Sequence, residues 1–153
     1  LVNVLGDLDD VNIENSFSDA LDIDFSDVKI KNIFVTNAGN DCVDFSLGKY
    51  YVANLNLEKC GDKGISIGEK SFAKLEEIKV VDVDIGLASK DSSITIIQNS
   101  LFKNLNTCVS AYNKKQEFDG GIVKFSNLKC KKFQKKIEID SRSKIVEEKT
   151  ILN

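Results

Sequence analysis

The chain has no histidine, no proline, no methionine, no tryptophan and a single arginine, Arg142. Without histidine, the commonest general base near neutral pH and the commonest metal ligand are both missing. Zinc sites of the Cys/His type and Ser-His-Asp or Cys-His catalysis are therefore excluded. Acid–base chemistry would fall to carboxylates, lysine or tyrosine. No apolar run reaches the roughly 18 residues needed to span a bilayer as a helix, and no charged-then-apolar leader is present. A net charge of −3 gives no global reason to expect nucleic acid or anionic membrane as a partner. The 153 residues read as one domain. Because the chain starts at Leu1 on a strand-like Val-Asn-Val-Leu, it reads as a piece of a longer protein, expected to be extracellular or displayed at a cell surface.

What is present is a repeat. Ser-Asp-Ala-Leu-Asp-Ile-Asp (18–24), Asn-Asp-Cys-Val-Asp-Phe-Ser (40–46) and Asp-Lys-Gly-Ile-Ser-Ile-Gly (62–68) align in steps of 22 residues. A fixed period of this size marks stacked supersecondary units. Within each unit apolar residues alternate with polar ones over short runs, as Val28 and Ile30 do with Lys29 and Lys31. Asn and Gly punctuate the runs, so they read as strands, and no sustained helical period appears. Asp10, Asn32, Asn54, Glu77, Asn99 and Asn127 mark equivalent corners of six rungs, the last enlarged around Lys114–Gly121. Three short strands per 22 residues predict an all-β, right-handed parallel β-helix of about six rungs. A β-sandwich is the rival fold. In the helix, rungs stack at roughly 4.8 Å. Leu21/Val43/Ile65/Ile85/Val109/Ile137 and Ile23/Phe45/Ile67/Leu87/Ala111/Ile139 are the expected inward columns. Asn15, Asn37 and Asn104 are placed in a stacked amide ladder. Cys42 and Cys108 fall in one column three rungs apart, roughly 14 Å, beyond disulfide reach. All four cysteines are then expected as free core residues, with a disulfide or metal cluster as the alternative.

The three opening repeats resemble the pectin-lyase-like superfamily and, more narrowly, the polygalacturonases. That family places Asn-Thr-Asp, Gly-Asp-Asp and Gly-His-Gly before successive strands, with Arg-Ile-Lys further on. Here the matching positions read Phe17-Ser18-Asp19, Gly39-Asn40-Asp41 and Asp62-Lys63-Gly64. The resemblance assigns Asp19 and Asp41 to the pair that activates water, whereas the acid position holds Asn40 and the histidine position Lys63. An amide does not deliver a proton as a carboxylic acid does, and inverting hydrolysis requires both roles. Polygalacturonase-type hydrolysis is therefore not expected. A lyase using Lys63 or Lys90 as base is the enzymatic alternative.

Two surface columns complete the expectation. Asp22, Asp24 and Asp44, with Asp19 and Asp41, crowd two neighbouring rungs, either as a solvated acidic face or as a calcium site. Lys70, Lys90 and Lys114, each three residues after an inward position, are aligned as a basic column, with Asp91, Tyr112 and Lys115 beside it. Stacked ammonium groups with a tyrosine suit an acidic polysaccharide. Lys129–Lys136 reads as a charged turn shielding the last rung rather than a nucleic-acid patch. The tail Lys144–Asn153, with Ile151 and Leu152, reads as a closing strand. The function expected is carbohydrate binding or surface display without catalysis, favouring acidic polysaccharide, in a chain with neighbouring domains. A lyase and a structural spacer are the alternatives.

Overall fold

The computed structural model describes residues 1–149 and is a parallel β-solenoid of about six rungs, with strands throughout and no helix among them. Its eleven strands are β1 (Leu5–Ser16), β2 (Leu21–Asp24), β3 (Asp27–Ala38), β4 (Val43–Ser46), β5 (Lys49–Cys60) and β6 (Lys63–Gly68), followed by β7 (Phe72–Leu75), β8 (Ile78–Lys90), β9 (Ile94–Tyr112), β10 (Ile122–Ile139) and β11 (Lys144–Glu147). Every pairing between them is parallel; β1, β3, β5 and β8 each bend round a corner to serve two faces, and β9 and β10 run on round all three. The first face is built from β2, β4, β6 and the ends of β8, β9 and β10. The second starts with the opening halves of β1, β3 and β5, continues through β7 and the starts of β9 and β10, and ends at β11. The third is built from the closing halves of β1, β3 and β5 and the middle of the chain from β8 to β10.

Period-two alternation decides which side chains go inside. Along β3, Val28, Ile30, Ile33 and Val35 are buried while Lys29, Lys31 and Phe34 face out. The first inward column is Leu21–Val43–Ile65–Leu87–Val109–Ile137. The second is Ile23–Phe45–Ile67–Ser89–Ala111–Ile139. The fourth rung thus departs from the expected register, because Ile85 stacks between Lys63 and Thr107, and Leu87 takes the place assigned to it. Apolar residues of both parities in Ile85-Gly-Leu-Ala hid the phase. The inward residue after Leu87 is a serine, which sequence alternation cannot flag as core. Ser89 is satisfied internally, 2.7 Å from Ser93 Oγ and accepting from Thr95 Oγ1 at 3.0 Å. Fully buried hydroxyls joined in this way avoid the cost of an orphaned polar group.

Corners are held by side-chain ladders. Asn37 donates to Asn15 at 2.7 Å and Asn104 to Asp82 at 2.5 Å, with Lys59 interrupting the expected amide column. A second ladder runs through the rung markers, Asn32 to Asp10 at 2.6 Å, Asn54 to Asn32 at 2.9 Å, Asn99 to Glu77 at 2.7 Å and Asn127 to Asn99 at 2.9 Å. Asn15, Asn37 and Asn104 adopt φ of 58°, 61° and 59°, the left-handed region that asparagine tolerates best after glycine.

The cysteines correct the free-thiol expectation. Cys42 bonds to Cys60 and Cys108 to Cys130, with Cα separations of 5.4 and 6.3 Å, and no cysteine is free among the described residues. Cys42 and Cys108 do not meet each other. Each instead finds a partner round a corner on the neighbouring rung: Cys60 stacks on Ala38, just before Cys42, and Cys130 on Phe102, just before Cys108. The basic run at 129–136 is also not a turn. It lies within β10, where Ile137 and Ile139 keep their column positions yet remain 43% and 48% exposed. Of the tail, β11 stacks on the start of β10, while Ile151 and Leu152 lie outside the described residues.

Two stability outcomes follow from this packing. Val43→Asp puts an unpaired charge at a fully buried position and should cost several kcal/mol in chemical denaturation. Reduction, or Cys42→Ser with Cys60→Ser, should lower stability by about 3 kcal/mol, as expected for releasing a loop of this length. An unchanged melt for Val43→Asp would contradict the core assignment, and one after reduction or the double serine substitution would contradict the disulfide pairing.

Candidate functional site

The first face carries most of the residues singled out from sequence. Asp22 stacks on Asp44, then Ser66, Ala88, Ser110 and Glu138, with Ala88 replacing the Gly86 expected in this outward column. Asp24, Ser46, Gly68, Lys90 and Tyr112 lie one outward position along.

Asp19, Asp41 and Lys63 do follow one another on successive rungs, and their roles are visible in the hydrogen bonds. Asp19 Oδ1 accepts the backbone N–H of Asp41 at 3.0 Å and the side-chain amide of Asn40 at 2.7 Å. Asp41 Oδ1 repeats the motif, accepting the backbone N–H of Lys63 at 3.0 Å and its Nζ at 3.4 Å. Lys63 Nζ also bonds Asp62. Each aspartate therefore staples its own rung to the next. The acid position is occupied by an amide that is already donating. Burial makes the Asp41 carboxyl harder to ionise, outweighing the help from Lys63. Burial pulls the Lys63 ammonium the other way, but contact with Asp62 and Asp41 prevails and holds its proton more firmly than usual. A lysine so held is a poor base for proton abstraction.

Asp44 is the second acidic feature. Burial raises its proton affinity, and Lys90 and Ser66 offset this only in part. Among the described residues, Asp44 Oδ1 and the fully buried Ser66 Oγ each lack a hydrogen-bond partner of normal geometry. The Asp22 carboxyl is raised by burial and by Asp24 and Asp19. Asp22, Asp24 and Asp44 do not gather into a cation cage. Among the described residues, no group of three or more carboxylates and cysteines is arranged to hold a metal ion.

The basic column does not form. Because Ser89 rather than Leu87 matches Ile67, Lys90 pairs with Tyr112, one corner away from Lys70. Its stem runs past Gly68, whose missing Cβ would lie 3.8 Å from Lys90 Cε, and the residue is only 7% exposed. Lys90 makes no ion pair within 4.0 Å among the described residues. Lys70 lies 5.7 Å from the centroid of the Phe118 ring, on the insertion. Asp91 accepts the backbone N–H groups of Lys114 and Lys115 at 2.7 and 2.8 Å, so it anchors that insertion. Lys115 closes the same contact by pairing with Glu69 at 2.5 Å, and this pairing overcomes burial to favour the ionised glutamate. Lys114 stays exposed. Tyr112, half-buried beside Lys90, has its hydroxyl proton held above the ordinary range by burial. Gly68, Glu69 and Phe118 were not anticipated; the two-residue register shift that brings Lys90 over Gly68 is the reason.

No protein-family model, no curated protein and no solved structure matches the chain.

The buried carboxylates set a pH dependence. Asp41 and Asp44 bind protons more tightly folded than unfolded, so their ionisation costs stability as pH rises from the ordinary value of 3.8 through the raised folded value. Asp44→Asn should therefore melt higher than the parent at about pH 7, and like it below pH 3.8. A lower melting temperature at neutral pH would show that the carboxylate is net favourable in place.

Proposed function

We propose that the chain is a non-catalytic carbohydrate-binding β-helix domain that presents its first face to a polysaccharide. The carrying observation is Lys90, stacked in register with Tyr112 in an outward-directed column and, among the described residues, in no ion pair within 4.0 Å, although Asp44 and Glu69 lie close enough to feel its charge. An ammonium with its stem packed flat and a tyrosine ring beside it offers donors and a surface to a sugar at little entropic cost. The stapled aspartates support the non-catalytic part. Asp19, Asn40, Asp41 and Lys63 match polygalacturonase positions in sequence, and all four side chains are spent on one another or on the backbone. In this reading the chain is a member of the pectin-lyase-like superfamily whose hydrolytic site has become structural.

The preference for acidic polymers, expected from a lysine column, loses its basis. Lys70, Lys90 and Lys114 point to three different surroundings. Asp22, Asp24, Asp41, Asp44 and Asp62 outnumber Lys63 and Lys90 on and beside the face. Two disulfides suit an oxidising compartment and hence a secreted or surface-displayed protein.

Affinity electrophoresis or calorimetry against neutral, uronate and sulfated polysaccharides tests this. The parent should bind at least one polymer. Lys90→Ala or Tyr112→Ala should weaken it roughly tenfold, equivalent to about 1.4 kcal/mol, without lowering the melting temperature much. Binding of no polymer would leave a spacer. Release of reducing ends or of unsaturated uronate, abolished in Asp41→Ala or Lys63→Ala, would establish an enzyme instead.

A further inference from the structure

The second face holds a groove that the acidic motifs do not touch. It crosses the opening halves of β1, β3 and β5 and reaches β7, as two contiguous cavities of about 270 and 420 Å³ that share Asp7, Lys29 and Tyr51. Tyr51 stands in the outward column Asp7–Lys29–Tyr51–Lys74, and Phe72 follows Lys49 in the neighbouring column. The two rings are 5.9 Å apart and tilted by 52°, and Tyr51 is 40% exposed. Elsewhere on this solenoid a large aromatic pair is packed inside, as Phe45 and Tyr50 are.

We propose that this groove is a binding site for a neutral polysaccharide chain lying along the solenoid axis, with one pyranose ring against Tyr51. The proposal rests on the carbohydrate-binding reading and gives it a second, separate site. Three features point to this occupant. Tyr51 and Phe72 sit on adjacent rungs, and a spacing of roughly 4.8 Å between rungs matches the roughly 5 Å repeat of a sugar chain. An exposed ring offers the apolar face of a pyranose a flat partner at low conformational cost. The groove is also balanced in charge. Four lysines (Lys29, Lys31, Lys49, Lys74) line it together with four carboxylates, and among the described residues only Lys74 of these is ion-paired, to Glu76 at 2.8 Å. Ammonium donors beside carboxylate acceptors suit hydroxyls, which need both, and their balanced charge provides no net field to draw in a polyanion.

The test measures binding of galactomannan, xylan, mixed-linkage glucan and polygalacturonate to the parent, Tyr51→Ala, Tyr51→Phe and Lys90→Ala, each checked for an unchanged melt. A neutral polymer should bind the parent. Tyr51→Ala should lose roughly tenfold in affinity, Tyr51→Phe should keep most of it, and added salt should change little. If Tyr51→Ala binds as the parent does while Lys90→Ala fails, the groove is overturned and the first face stands as the only glycan site. Binding confined to polygalacturonate, with steep salt dependence, overturns the neutral ligand. Concentration-dependent self-association lost in Tyr51→Ala would make the groove a contact between copies of the chain. If nothing binds, both readings fall together.

Discussion

Everything in this molecule depends on parallel stacking at one strand spacing. Once each rung hydrogen-bonds to the next in register, every side chain acquires two compulsory neighbours, its counterparts one rung above and below. Apolar residues gain by this, since a column such as Leu21–Val43–Ile65–Leu87 packs like with like and excludes water. Amides gain too, because each carboxamide both donates and accepts and can be passed along a ladder. Like charges lose, because a column holds them near 5 Å apart.

The acidic motifs are best understood under that constraint. A carboxylate at the start of a first-face strand finds the backbone N–H of the next rung within reach, and Asp19 and Asp41 both use it. The same repetition that makes two aspartates look like a catalytic pair makes them structural staples. Lys63, one rung further, ends the series by meeting Asp41 and Asp62. Asp44 has no such outlet, so its burial is uncompensated in part. These two faces consequently differ in character. The first is acidic, partly buried and internally bonded, whereas the second exposes an aromatic pair among balanced charges.

The corner chemistry shows how local and long-range terms agree. Asparagine at the corners accepts a left-handed backbone at modest cost and simultaneously extends a ladder, so one residue type answers two demands. The disulfides act on a different scale. They close loops of 18 and 22 residues between neighbouring rungs, and so restrain the unfolded chain as well as clamping the folded one.

The 22-residue period, the alternation within each run and the Asp10/Asn32/Asn54 corner series were enough to determine a parallel solenoid of six rungs, because stacking demands that equivalent positions recur at equal distance. They also placed Asp19, Asp41 and Lys63 on successive rungs. Only the tertiary structure decided the phase of the fourth rung, where Leu87 rather than Ile85 turns inward and an internally bonded Ser89 follows it. That single choice removed Lys90 from the lysine column and laid it over Gly68. Cysteine pairing was equally hidden, since Cys42 and Cys60 come together round a corner from different faces, a closeness that depends on how the chain turns there and has no counterpart in column spacing. Sequence repetition reports what lies above and below a residue; what lies beside it is settled by how the chain turns its corners.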